Sequence, residues 1–302
     1  MNTTVWSPAR QTAGWWSRCM DYLELTKPRI SVLVLITVAV SSFVATWGQP
    51  DLWILLHTLV GTALVAASAS ACNQVWEKET DALMSRTANR PLPSGRLESS
   101  EVLVWAAIGL LVGVAYLICL TTALAAAWAM LTWIIYVWIY TPLKRVTQWN
   151  TAIGAVSGAI PVLIGWTAVG GQLDVRAASL FMLLFLWQFP HFMAIAWIYR
   201  GQYQAAGMQM ASVPRPGASH RSAGVQAVMG AIALLPVAAI PALFAPSTSY
   251  VALALVLGVG QLFVALMFFS RQNDLWARCL LRVSIIYLPL MLMLMAALPL
   301  LS

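Results

Sequence analysis

Nine runs of about 20 mostly apolar residues divide the chain, and runs of that length leave few folds open. In hydrocarbon every backbone N–H and C=O must bond within its own segment, so an apolar run long enough to cross a bilayer becomes a helix. The runs are 29–47, 52–72, 101–120, 121–140, 151–169, 177–199, 223–244, 250–269 and 281–301. Only 9% of the residues are charged, against roughly 25% in a soluble domain, so a water-facing surface is excluded. The prediction is an all-α polytopic membrane protein with nine transmembrane helices in a single membrane domain, 1–302.

The charges predict its orientation. With the N-terminus in the cytoplasm, sixteen of the seventeen basic residues fall on cytoplasmic segments and Arg176 alone lies outside. That alternation follows the positive-inside rule, and it puts the C-terminus outside. A net charge of +7 then reads as topological bias and attraction to anionic headgroups, so the expected partner is the lipid bilayer and not nucleic acid. The expected location is a bacterial plasma (inner) membrane, ahead of a mitochondrial inner membrane. Residues 1–27 read as a cytoplasmic tail: they lack the apolar core of a signal peptide, and Trp and Pro are expected to break any amphipathic helix there. Segments 73–100 and 200–222 read as long cytoplasmic loops, one after the second helix and one after the sixth, so helices 1–4 and 5–8 suggest two equivalent halves. Cys19, Cys72, Cys119 and Cys279 show no metal or redox spacing and read as small apolar fillers.

Polar residues crowd where the second helix ends. Asn73, Glu77 and Asp81 recur every four residues and share one helix face, forming a stripe about 12 Å long. Three oxygen-bearing side chains on one stripe suit a hard cation such as Mg²⁺, which takes few carboxylates and completes its shell with water and substrate phosphates. Arg86 and Arg90, again four apart, suit phosphate oxygens. The other reading of the same residues is a solvated helix end; spacing alone leaves both open. His191 lies within the sixth helix, where polar side chains face the bundle interior and mark function. It is read either as a contact to a bound ligand or as a histidine bonded to a carbonyl of the kind Pro190 frees at Leu186. His57 is read as structural and His220 as solvated.

The pattern Asn73-x-x-x-Glu77-x-x-x-Asp81, followed by Met84-x-Arg86-Thr87-x-x-Arg90-Pro91, resembles the first acidic motif of the UbiA superfamily of intramembrane prenyltransferases. Leu25-Thr26-Lys27-Pro28-Arg29, Tyr140-Thr141-Pro142-Leu143-Lys144-Arg145, Gly158-Ala159-Ile160-Pro161 and Trp187-Gln188-Phe189-Pro190-His191-Phe192 narrow the resemblance to the branch that farnesylates protohaem. The specific motifs cover roughly 25–216.

The resemblance implies a UbiA-type helical bundle with its active site on the cytoplasmic side, and a reaction between farnesyl diphosphate and haem b that gives haem O and pyrophosphate for haem-copper oxidase assembly. Haem b is then a substrate, with His191 its candidate contact, and Mg²⁺ is the cofactor, held by Glu77 and Asp81 with Asn73 orienting them. Arg86, Arg90, Lys144, Lys27 and Arg200 would bind the diphosphate, while Tyr140 or Tyr203 would stabilise the allylic cation through its ring. A downstream haem-modifying enzyme or the oxidase assembly machinery is an expected partner. One departure stands out. Where the family carries acids before a tyrosine in the second loop, this chain has Gln202 before Tyr203; its carbonyl can coordinate but brings no charge. A prenyltransferase acting on a quinone or aromatic acid, a noncatalytic haem-binding assembly factor and a secondary transporter are the competing readings.

Overall fold

The computed structural model describes residues 14–213 and 221–301. Arg10, Arg215 and His220 lie outside the described residues. Among these residues every regular element is a helix, and nine helices are long and apolar enough to span a membrane. In chain order the helices are α1 (Trp15–Leu25), α2 (Pro28–Ala45), α3 (Leu52–Ala82) and α4 (Ser99–Leu120). They continue as α5 (Ala123–Leu143), α6 (Asn150–Ala168), α7 (Val175–Ile198) and the short α8 (Arg200–Ala205). The last three are α9 (Ser222–Leu243), α10 (Thr248–Arg271) and α11 (Asp274–Leu301).

The nine expected spans are therefore α2–α7 and α9–α11. Two boundaries move by more than a few residues. Helix α3 runs 31 residues, about 46 Å at 1.5 Å per residue, so it overshoots a hydrocarbon core of roughly 30 Å. Its projecting end carries the Asn73 stripe, and the first part of segment 73–100 is helix. Helix α11 begins at Asp274 and not at 281, because Arg278 rides on helical turns that lie ahead of the apolar run. A third difference is α1: the tail holds an amphipathic helix after all. Pro8 stands upstream of it, and tryptophan is compatible with a helix whose apolar face stays uncovered.

Helices starting on the face opposite α1 are opened by side-chain caps, which satisfy N–H groups the helix itself leaves unpaired. Asp51 accepts from Trp53 N and Ile54 N at 2.8 and 3.2 Å, and Asp174 from Arg176 N and Ala177 N at 2.9 and 3.0 Å. Thr122 and Ser247 do the same for α5 and α10.

At the centre, α2 packs on α6, and the largest apolar core lies where α6, α7, α9, α10 and α11 meet around Trp187, Tyr250 and Tyr287. Lipid tails are as apolar as leucine, so close backbone approach and interhelical hydrogen bonds hold such helices together. At Gly165 a Cβ atom would collide with the Val38 carbonyl and the Ser41 hydroxyl. The Ser42 hydroxyl donates to the Gly165 carbonyl at 2.9 Å. Gly165→Ala is expected to destabilise the purified protein by about 1–3 kcal/mol, the usual cost of overpacking. Gly260→Ala, where a Cβ meets open space, should leave the detergent melting temperature unchanged or raise it.

Candidate functional site

The projecting end of α3 turns its polar stripe inward. Asn73, Glu77 and Asp81 are 0, 7 and 1% exposed, whereas the Glu79 side chain between them is 87% exposed. A solvated helix end would expose all four, so that reading is overturned.

Burial forces each polar group to find a partner, since a lone ion in a low-dielectric interior is costly. Lys144 Nζ donates to Glu77 Oε1 at 2.6 Å, and Arg90 Nη1 to Asp81 Oδ2 at 2.6 Å. The Lys27 ammonium donates to Asn73 Oδ1, while Asn73 Nδ2 donates to Thr141 Oγ1 at 2.9 Å. Two carboxylates thus face Lys144, Arg90 and Lys27, which leaves the cluster at most one positive charge over. Burial works against the Lys144 ammonium, yet the adjoining Glu77 carboxylate holds its pKa well above the usual lysine value. Burial pushes Lys27 down to about 7, against the pull of Glu77.

Local sequence explains how these cations arrive. Lys27 adopts a left-handed conformation, φ 49°, at a cost of about 1–2 kcal/mol for a residue with a Cβ. Pro28 then starts α2 at its first turn, and the sharp corner swings Lys27 toward Asn73. In α5, Pro142 has no N–H to give, and the turn before it widens into a π segment, Ile135–Tyr140. Thr141 Oγ1 donates to the Tyr136 carbonyl five residues back at 2.7 Å. Lys144 follows, its ammonium 4.5 Å from the centroid of the half-buried Tyr140 ring.

The second loop folds over the same region. Gln209 N donates to the Lys144 carbonyl at 2.6 Å, and Asn150 Nδ2 donates to the Gln209 carbonyl at 2.9 Å. Tyr203 is buried beside Met84, with Arg86 Nη2 at 3.5 Å from its hydroxyl. Burial raises the Tyr203 pKa, so its phenol stays protonated. The Arg86 guanidinium also sits 5.0 Å above the Tyr199 ring. Gln202 is half-buried, and its Oε1 is buried without a hydrogen-bond partner among the described residues. Arg200 differs from expectation: it donates to Asp274 Oδ1 at 2.8 Å and to the Trp197 carbonyl at 2.7 Å. An exposed acid at the start of α11 therefore claims the guanidinium assigned to phosphate.

His191 departs from the structural one of its two readings. Its Nδ1 lies 2.9 Å from Ser284 Oγ on α11, and its ring stacks on Trp187 with centroids 4.6 Å apart. Among the described residues no freed backbone carbonyl is its partner. His57 behaves as a structural residue, 2.8 Å from the Tyr116 hydroxyl. A cleft of about 670 Å³ opens between α6, α7 and α9, walled by Trp149, Phe185, Phe189 and Met229 with Gln148 and Gln226. Its rim at Thr147 begins three residues after Lys144.

Among the described residues no three His, Cys, Asp or Glu side chains gather as a complete metal cage. Two carboxylates and one amide oxygen still match the donor type of a hard cation that takes its remaining ligands from substrate and water. Thr141 and Gln74 went unassigned in the sequence. Gln74 Nε2 donates to the Leu25 carbonyl at 2.9 Å, which docks the end of α1 beside Asn73. The proline after Thr141 was the available signal for the first; the second carries none.

Residues 34–296 match the UbiA prenyltransferase family. The protoheme IX farnesyltransferase of Solibacter usitatus is 41% identical over 283 residues, covering 89% of this chain and 95% of that protein. The protoheme IX farnesyltransferase of Rhodopirellula baltica is 40% identical, covering 90% and 98%. Among solved structures, a digeranylgeranylglyceryl phosphate synthase superposes with a TM-score of 0.78 at 15% identity, covering 93% of this chain and 98% of that one. A UbiA homologue from Archaeoglobus fulgidus bound to GPP and Mg²⁺ superposes with 0.65 at 14% identity, covering 91% and 99%. Both likenesses establish the fold.

The pairing predicts a coupled pair of variants. Lys144→Met strands a buried Glu77 carboxylate and should cost about 3–5 kcal/mol. Adding Glu77→Gln should restore most of that loss, read as recovery of the thermal midpoint in detergent.

Proposed function

The chain belongs to the UbiA prenyltransferase family and, within it, to the protoheme IX farnesyltransferases; from that premise we propose that it transfers the farnesyl group of farnesyl diphosphate to a vinyl group of haem b, forming haem O and releasing pyrophosphate. The observation that carries this reading is the buried cluster of Asn73, Glu77 and Asp81 with Lys27, Lys144 and Arg90 at the projecting end of α3.

Ionising an allylic diphosphate concentrates negative charge on the departing group, so fixed positive charge aimed there lowers the barrier. The cluster's single surplus charge does not neutralise a diphosphate, which is the reason a divalent cation belongs in the balance. Asn73, Glu77 and Asp81 are the residues that would hold it. When bound, Mg²⁺ supplies charge on the phosphate oxygens without a proton transfer. Lys144 and Arg90 pass from carboxylate to phosphate oxygens as the substrate enters, Lys27 regains full charge beside that anion, and Arg86 closes from the Tyr203 side. Gln202 Oε1 offers one further uncharged acceptor. The rings of Tyr140 and Tyr203 flank the site and stabilise the farnesyl cation. The allylic C–O bond to pyrophosphate breaks, the terminal vinyl carbon bonds the allylic carbon, and water adds at the inner vinyl carbon and gives up a proton to pyrophosphate or solvent, which completes the hydroxyethyl group. His191, its Nδ1 held by Ser284, is the haem contact in this reading. Haem b arrives as substrate, and a haem-modifying enzyme or the oxidase assembly machinery takes the product.

The same reading places the protein in a bacterial plasma membrane with α1 on the cytoplasmic side, as the distribution of basic residues supports. A cysteine introduced at Gln172, between α6 and α7, should react with an impermeant thiol reagent from the outside of intact cells. Labelling only after lysis would reverse the orientation.

Incubated with haem b, farnesyl diphosphate and Mg²⁺, the purified protein should yield haem O by mass spectrometry. Asp81→Ala should lower that yield on the order of a hundred-fold or more while the protein stays folded. An undiminished yield from that variant would remove Asp81 from the metal site.

A further inference from the structure

Helix α1 has two unlike faces. Arg18, Asp21, Tyr22 and Leu25, spaced as one side of a helix, pack on the protein: Arg18 and Tyr22 both bond Glu101, Tyr22 lies 5.7 Å from the Trp105 ring, and Leu25 is fully buried. Trp15, Trp16, Met20 and Leu23 form the other face and are exposed. Helix α2 enters the bilayer at Pro28, so an uncovered aromatic and apolar face this close to its start belongs at the boundary between headgroups and hydrocarbon.

Arg96 fastens that surface helix to the segment between α3 and α4. Its Nε donates to Asp21 Oδ1 at 2.8 Å and its Nη2 to Glu24 Oε2 at 3.0 Å, both on α1. Its Nη1 donates to the Asn89 carbonyl at 2.8 Å. Asn89 precedes Arg90, and Arg86 lies one turn earlier. The same C-terminal end of α1 hands over directly to Lys27 and receives Gln74 through the Leu25 carbonyl. Leu92 and Leu97 anchor the segment in the core, so its attachment does not depend on Arg96; the placement of its Asn89–Arg90 stretch does.

We propose that Arg96 is a positioning residue for the donor diphosphate: it locks residues 86–90 to a helix seated at the membrane surface, so that Arg86 and Arg90 are presented in register with Lys27. This rests on the functional reading above only in taking a prenyl diphosphate as the anion.

The test uses the full chain in lipid nanodiscs, with farnesyl thiolodiphosphate and Mg²⁺ as the probe. Arg96→Gln should raise the Kd of the probe about ten-fold and speed amide exchange in residues 84–91 by a similar factor, with the KM for haem b unchanged. Arg96→Lys should recover part of the affinity. If Arg96→Gln does not fold, Asp21→Asn combined with Glu24→Gln removes the same contacts from α1 and should give the same shift. An unchanged Kd overturns the proposal, as does an equal loss of haem affinity with exchange quickened along the whole chain. A wild-type chain that binds the probe but leaves haem b unmodified would sink the acceptor assignment and leave Arg96 in its role. A wild-type chain that binds no prenyl diphosphate sinks both.

Discussion

An ion inside this bundle must have a counter-ion, because neither lipid nor a packed helix interface can hydrate it. Asp81 and Glu77 are held inside by Arg90 and Lys144, and Asn73 by Lys27. Each partner comes from a different stretch of chain: the segment after α3, the end of α5, and the corner between α1 and α2. One cluster therefore ties together elements that hydropathy alone would let slide past each other. The same pairs explain why the site is poised for an anion. Cations already gathered at short range need not be recruited, and preorganised charge loses little to reorganisation when the reaction begins.

Deeper in the membrane, polar side chains do a different task. Ser42 bonds the Gly165 carbonyl, Ser68 the Ala106 carbonyl at 2.7 Å, and Trp133 reaches Ser68 at 3.0 Å. Gln188 Nε2 bonds the Ala155 carbonyl at 2.9 Å, joining α7 to α6. These bonds pin pairs of helices without bringing charge into hydrocarbon, which leaves the ionised groups for the ends of the helices, the substrate's end among them.

The spans were legible because a bilayer imposes length and apolarity on each, and the Asn73 stripe was legible because helical spacing survives any detail of packing. Asp51 and Asp174 mark helix starts by the same local chemistry. What stayed hidden depends on distant partners. Nothing near Arg200 in the chain announces Asp274, and nothing near His191 announces Ser284. Helix α1 was hidden for another reason: its tryptophans read as helix breakers when judged as a soluble segment, whereas beside a membrane they are the face that stays outside the protein. The start of α11 moved because the charges that end an apolar run do not end a helix.

The widened turn at Ile135–Tyr140 has a consequence for how such a site changes over time. Each residue of an α-helix advances about 100° around the axis, so an extra residue would turn all that follows by that angle unless a widened turn takes it up locally. Straightening that turn into regular helix without shortening the chain would leave every side chain of the motif in place along the chain and aim Lys144 at the wrong neighbour. In this protein the direction of a charge is encoded in the count of residues ahead of it as much as in the identity of the residue that bears it.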